Sequence, residues 1–158
     1  MKRPWNIVDM PVYSLATYEG DQVNMNICTY VSAVSMKPKL FMIGVDYSTK
    51  TYELISRSST AVLQILHEDH KNLIKLLGKS SGRKIDKNQK LEEKELLTTW
   101  HGRKVLAGAC GYLLLDLKER ANIGGDHEIF YFSMQKSTTK EETGVLMFQK
   151  LISEGLIL

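Results

Sequence analysis

The sequence predicts a mainly β fold with helical insertions, in the form of a small barrel. Three observations predict it. About six segments are rich in β-branched and aromatic residues, several of them joined by short turn signals. Only three short helical patterns lie among them, and strands and helices do not alternate one for one, which argues against a doubly wound parallel sheet. The chain has 158 residues, 43% of them hydrophobic and 25% charged. That length suits one domain, residues 1–158, and folding it buries roughly 68–70% of the extended surface.

The elements follow in order. Residues 1–11 form an N-terminal arm punctuated by Pro4 and Pro11. Val12 to Tyr18 alternates as a strand, Glu19-Gly20-Asp21 signals a turn, and Val23 to Val34 continues as the second strand of a hairpin. Lys37-Pro38-Lys39 ends that pattern, and Leu40 to Val45 follows with no polar face. A strand apolar on both sides needs cover on both sides, from a helix or from another subunit. Thr51 to Ser58 reads as a short helix with hydroxyls at its N-cap, and Ala61 to Leu66 as a further strand. His67 to Leu77 has helical spacing and stops at Gly78. Lys79 to Lys94 is polar enough for a surface loop, with a short helix from Leu91, and long loops in compact domains often carry function. Cys110 to Lys118 and Glu128 to Met134 are strands joined by a hairpin around Gly124-Gly125. Residues 139–158 form a C-terminal helix and tail: Thr139 and Glu142 stand at capping-box spacing ahead of Val145 to Ile152, and Gly155 suits the helix end.

Composition excludes several classes. No apolar run approaches the ~20 residues that span a bilayer. The start, Met1-Lys2-Arg3-Pro4-Trp5-Asn6, has no apolar stretch of the secretory kind, which predicts a cytoplasmic protein. With 21 Lys+Arg against 18 Asp+Glu, the net charge of +3 is too small to argue for a nucleic-acid partner. Cys28 and Cys110 have no partner at CxxC spacing and read as small buried hydrophobes. His67 and His70 share a helix turn, but no third ligand stands near them in sequence, so no metal is expected.

Several groups could carry chemistry. Ser48-Thr49-Lys50-Thr51 lies where a strand gives way to a helix N-terminus, whose free amides, hydroxyls and lysine suit a phosphate. An ordinary helix cap with a solvent lysine is the alternative. Ser80, Ser81, Gly82, Arg83, Lys84 and Lys87 form a second group able to hold the other side of a phosphate or the polar edge of a ligand, or else a solvated loop or a weak nucleic-acid patch. Asn24, Asn26, Thr29, Tyr30 and Ser32 crowd polar groups onto both faces of a strand, one of which must meet water, a partner or a ligand. His127 opens a return strand and can reach over a pocket mouth. There is no GxSxG, Walker A loop or GxGxxG, so the chemistry belongs to a bound cofactor.

The order of these pieces is more specific than any one of them. The run from Asn24 to Pro38, the strand Leu40 to Val45, Ser48-Thr49-Lys50-Thr51-Tyr52-Glu53-Leu54-Ile55, the loop Ser81-Gly82-Arg83-Lys84-Ile85-Asp86-Lys87 and Gly125-Asp126-His127-Glu128-Ile129-Phe130 together resemble the flavin reductase-like family, including flavoredoxin-type proteins. The resemblance runs from about Val12 to Met134. It departs from the family at Lys37-Pro38, where Pro-Pro is common, and at Asn88, where Phe is frequent.

The resemblance implies an FMN-binding split β-barrel, a homodimer with flavin near the subunit interface, and FMN in preference to FAD. It implies electron transfer from NADH or NADPH through bound flavin to free flavin, an iron complex or a protein acceptor. The alternative is an FMN-binding electron carrier with no NAD(P)H turnover. By the same resemblance, Asn24, Asn26, Ile27, Cys28, Thr29 and Tyr30 line the isoalloxazine, and Ser48, Thr49, Lys50 and Thr51 meet the ribityl chain or phosphate. Ser81, Gly82 and Arg83 lie beside them, Lys87 stands near the flavin or its phosphate, and His127 approaches the ring as the catalytic residue.

Overall fold

The computed structural model describes residues 1–157. Nine strands and three α-helices run in the order β1 (Tyr13–Glu19), β2 (Gln22–Met25), β3 (Val31–Met36), β4 (Lys39–Asp46), α1 (Lys50–Arg57), β5 (Thr60–Ile65), α2 (Lys87–Glu93), β6 (Leu97–Trp100), β7 (Arg103–Leu106), β8 (Gly111–Asn122), β9 (His127–Thr139) and α3 (Phe148–Ser153). A 3-10 helix, Glu68–Leu73, and a single π-helical turn, Lys75–Lys79, lie between β5 and α2. The apolar tail predicted for the C-terminus ends at Leu158, outside the described residues.

Seven strands form one sheet in the order β2-β1-β5-β8-β9-β4-β3, and all the ladders are antiparallel. The sheet is not closed by a continuous ladder. Its two edge strands, β2 and β3, are consecutive in the chain, and residues 26–30 cross from one edge to the other. In that crossing Cys28 exchanges both backbone hydrogen bonds with Tyr13, at 2.8 and 2.9 Å, and the Tyr30 carbonyl accepts from Gly44 N–H at 2.9 Å. The result is a split barrel, with the crossing as its seam.

Alternation along the strands places a core on each side of the sheet. Leu15, Ile43, Leu63, Leu115, Phe130 and Phe132 fill the barrel interior. Their neighbours Ala16, Val62 and Leu114 face outward, into a second core with Ile74, Leu77, Leu91, Trp100, Leu106 and Leu151. On the remaining side, β4 and β3 have no such cover: Leu40 and Met42 are half-buried, and Val34 and Met36 are exposed. Helix α1 is tied to the β8–β9 hairpin by Arg120. That guanidinium donates to both Glu128 carboxylate oxygens, at 2.8 and 2.6 Å, and to the Tyr52 hydroxyl at 2.8 Å.

Several expectations are corrected. The strand expected over Val23 to Val34 is two strands, because the chain bulges at Asn26 and the Asn26 side chain takes over the ladder by accepting from Leu15 N–H at 2.9 Å. The helix expected over His67 to Leu77 is the 3-10 segment followed by the π turn. In the expected surface loop, α2 begins at Lys87 instead of Leu91, because Asp86 Oδ1 caps Gln89 N–H at 2.9 Å, and Lys87, Asn88 and Leu91 are buried. The capping box at Thr139 and Glu142 is absent: Thr139 ends β9, and α3 starts at Phe148 with no side-chain cap. The β6–β7 hairpin was not foreseen. It turns on His101 and Gly102, both with positive φ (45° and 73°).

Leu63 is completely buried in the barrel interior. Leu63→Ala is expected to lower the unfolding free energy by about 2–5 kcal/mol, through lost burial and the cavity left behind. A urea titration checks this, and an unchanged midpoint contradicts the packing described.

Candidate functional site

A cavity of about 490 Å³ opens where the barrel seam meets the start of α1. Its first wall is the crossing itself, residues 26–30. There the backbone leaves regular pairing, keeping only the exchange of Cys28 with Tyr13 and the bond from Gly44 N–H to Tyr30 O. Cys28 stands in this wall, and burial pushes its thiol up to about 12, so it remains a neutral thiol and not a nucleophile.

The second wall is the β4–α1 junction. Asp46 Oδ1 accepts from both the amide and the hydroxyl of Ser48, each at 2.7 Å, and these bonds hold its carboxyl below the ordinary carboxylate range. Thr49 caps α1 by accepting from Tyr52 N–H at 3.1 Å. The amides of Lys50 and Thr51 therefore sit in a first helical turn, where no intrahelical acceptor exists and the helix dipole is positive. Lys50 Nζ lies 3.4 Å from Glu19 Oε2 at the exposed edge.

The third wall is Leu77 to Gly82, the π turn and the residues after it. Two close approaches seat it. A Cβ on Gly78 would come within 3.3 Å of Ile27 Cγ1, and a Cβ on Gly82 would overlap Asn24 Oδ1 and come within 3.1 Å of Lys50 Cβ. Glycine is required at position 82 by this contact, not by its φ. Lys87 completes the wall from below. The residue is only 5% exposed, and its ammonium donates to Met25 O and to Leu77 O, both at 2.8 Å, and so joins the end of β2 to the π turn. Burial pulls its pKa down to about 8. At the mouth, His127 is paired across the ladder with Asp46. Its Nδ1 lies 2.7 Å from Asp126 Oδ1, and its ring meets Tyr30 edge-on with centroids 5.0 Å apart.

The structure thus gathers into one cavity Asn26, Ile27, Cys28, Thr29, Tyr30, Ser48, Thr49, Lys50, Thr51, Ser80, Ser81, Gly82, Lys87 and His127, from five separate stretches of chain. Four of the sequence-predicted residues, Asn24, Ser32, Arg83 and Lys84, stand apart, Ser32 being exposed on β3. Asn24 is buried behind the wall, donating to Thr51 Oγ1 at 3.0 Å, and Arg83 lines a neighbouring groove of about 280 Å³ with its Nε 3.7 Å from Glu53. Lys84 lines that groove too. Sequence reasoning misses Gly44, Val45 and Asp46 at the strand end, and Leu77 to Lys79 in the π turn, where Gly78 reads only as a helix stop. Among the described residues no group of three His, Cys, Asp or Glu side chains is placed to hold a metal ion, and both cysteines are free and buried.

The cavity lining combines the Lys50 and Lys79 side chains, the first-turn amides and the Thr51 hydroxyl with apolar surface from Ile27, Cys28, Tyr30 and Val45, while the hydroxyls of Ser48 and Thr49 donate to Asp46. This mixed lining suits a ligand that carries both an anionic group and a flat apolar body. The Lys87 staple adds a pH signature. Its folded pKa near 8 lies below the unfolded 10.5, so between those values the unfolded chain holds more protons, and this group makes folding more favourable as pH rises. The urea midpoint of the natural protein is therefore expected to gain on that of Lys87→Met across this range. Parallel curves contradict the buried ammonium.

The family model of the flavin reductase like domain matches residues 5–151. The fold is similar to that of an FMN-binding protein from Thermus thermophilus, with a TM-score of 0.77 at 20% identity over 90% of this chain and 78% of that one. It is similar to flavoredoxin from Methanosarcina acetivorans, with a TM-score of 0.75 at 20% identity over 90% and 76%. It is also similar to an NADH:FAD oxidoreductase from Streptomyces globisporus, with a TM-score of 0.76 at 17% identity over 89% and 81%. No curated protein matches the sequence. With the match extending over nearly the whole chain and the split barrel in place, the chain belongs to the flavin reductase like domain family.

Proposed function

We propose that this protein binds FMN in the cavity and passes electrons from NADH or NADPH through the bound flavin to free flavin, an iron complex or a protein acceptor. The observation that carries the reading is the mixed cationic and apolar lining of a single cavity built from five separate stretches of chain. FMN combines a phosphate dianion, a polar pyrimidine edge and a flat apolar ring, and the walls offer a counterpart to each. The cavity volume falls within the ~300–1,000 Å³ usual for small-molecule sites.

In this proposal the amides of Lys50 and Thr51, with Ser48, Thr49 and the Lys50 ammonium, hold the phosphate and the ribityl chain. Ser81 and Gly82 close over that end, where the absence of a side chain at Gly82 keeps the wall seated against Asn24 and Lys50. The main chain of residues 26–30 orients the ring and excludes water from one of its faces. Lys87, committed to two carbonyls, contributes positive charge from beneath the wall instead of a direct ligand. Bound there, the flavin supplies the hydride-accepting ring. Positive charge and N–H donors near its pyrimidine edge favour the reduced anionic form. His127 stands at the mouth, where a proton on Nδ1 goes to the Asp126 carboxylate and Nε2 remains free to face the ring or its substrate.

We further propose a homodimer. Its support is the uncovered outer face of β3 and β4, where Val34 and Met36 are exposed beside half-buried Leu40 and Met42. Light scattering is expected to give twice the chain mass of 18.0 kDa, and a mass of one chain contradicts the dimer.

The protein with FMN is expected to turn yellow and to bleach on addition of NADH or NADPH without oxygen. Bleaching by dithionite alone contradicts the nicotinamide donor and leaves the electron-carrier reading in its place. Lys50→Ala is expected to weaken FMN binding about tenfold or more, as loss of a charge-assisted contact does, whereas His127→Ala lowers turnover more than binding. Unchanged FMN affinity in Lys50→Ala contradicts the phosphate assignment.

A further inference from the structure

The wall opposite the barrel seam hangs from a pair of histidines that the flavin reading does not use. His67 and His70 bracket the first turn of the 3-10 helix Glu68–Leu73. The backbone N–H of His67 donates to His70 Nδ1 at 3.1 Å, and the backbone N–H of Asp69 donates to His67 Nδ1 at 3.2 Å. His70 Nε2 lies 2.8 Å from the Ala107 carbonyl oxygen. A carbonyl only accepts, so Nε2 carries the proton, and an N–H pointing at Nδ1 requires a lone pair there. Both ring nitrogens of His70 are thereby committed, and the ring fits its place only when neutral.

We infer that this histidine pair makes the third wall of the cavity acid-sensitive: a proton taken from solvent onto His70 Nδ1 sets two donors face to face, breaks the bond that the His67 backbone N–H gives to that nitrogen, and loosens the chain from Glu68 to Lys79. That stretch runs through Ile74, which is buried in the outer core, into the π turn whose Leu77, Gly78 and Lys79 line the cavity and whose Leu77 carbonyl holds Lys87. Loosening it withdraws one wall of the cavity and weakens ligand binding. The binding consequence rests on the flavin reading above, whereas the loosening itself does not.

The surroundings of His70 offer little to hold the added charge. His70 is 6% exposed. From the β7–β8 turn it meets only backbone, the Ala107 carbonyl and Gly108, where a Cβ would stand 3.7 Å from Nε2. On its own element the charged neighbours are His67, which opposes the proton, and the exposed Asp69, which favours it. Residues 141–145 pack on the His67 side: Gly144 sits against that imidazole, and Glu141 faces it. From α3 and its end, Lys150 and Glu154 are engaged with Glu68 and Lys71, at 3.0 and 2.9 Å. Burial is the largest influence and pulls the His70 pKa below the ordinary 6.5. The unfolded chain therefore binds this proton first as pH falls. The stability from neutral His70 is complete above pH 6.5 and is lost as pH falls through the folded value.

The test is an NMR titration of the ligand-free protein between about pH 5 and pH 8, following the His70 ring and the amides of residues 73–80 together. The expected result is that those amides shift or broaden with the His70 midpoint. In parallel, the FMN dissociation constant, read by fluorescence quenching, rises about tenfold per pH unit below that midpoint. His70→Asn, which presents an amide oxygen where Nδ1 stands and does not titrate, is expected to flatten both responses. A His70 ring that titrates without moving residues 73–80, or that does not titrate in this range, overturns the inference, and this wild-type result needs no variant to fold. A protein that binds no FMN at about pH 7.5 contradicts the flavin reading, and the amide titration still decides the acid response.

Discussion

Two amide hydrogen bonds, Tyr13 N–H to Cys28 O at 2.9 Å and Cys28 N–H to Tyr13 O at 2.8 Å, carry the chain from one edge of the sheet to the other. Without them β2 and β3 are two unrelated edges, and the interior core of Leu15, Leu63, Phe130 and Phe132 is open along one side. With them the sheet wraps into a split barrel. The segment that does the wrapping is not a regular strand, and the same residues, 26–30, line the cavity. Closure of the fold and construction of the site are the same structural event.

The rest of the site depends on devices that are not strands at all. The crossing supplies one wall, and the opposite wall has to be brought to it and held there. Lys87 does this with a buried ammonium between two carbonyls, Gly82 by having no side chain at the point where Asn24 and Lys50 come closest, and His70 by capping the segment that leads into the π turn. Each is polar or glycine, and each stands in a stretch whose composition predicts a surface loop or an ordinary helix. A buried ammonium is stable only because its hydrogens are matched by acceptors, which makes it a positional constraint as much as a charge.

This explains how much was legible in the sequence. The strand content, the β1–β2 and β8–β9 hairpins and the helix after the Ser48 to Thr51 run follow from alternation, turn chemistry and capping, because those signals are local, whereas the gathering of the cavity residues is implied by the family resemblance. The break at Asn26 was hidden because the β-forming residues continue through it and only the Asn26 side chain, accepting from Leu15 N–H, reveals that the backbone has left the ladder. Lys87 was assigned to the ligand because a lysine beside hydroxyls reads as an anion contact, and its two carbonyl partners come from residues 62 and 10 positions away. The β6–β7 hairpin carried a usable signal in His101-Gly102, where the turn needs positive φ at both positions. The charged ends of β8 and β9 disguised how far that hairpin extends past the core.

The most direct measurement of this account is a crystal structure of the protein with FMN. It predicts the phosphate within hydrogen-bond distance of the Lys50 and Thr51 amides, the ring against residues 26–30, and the Tyr13–Cys28 exchange intact. A phosphate bound away from the start of α1, or a ring seated outside the crossing, contradicts it.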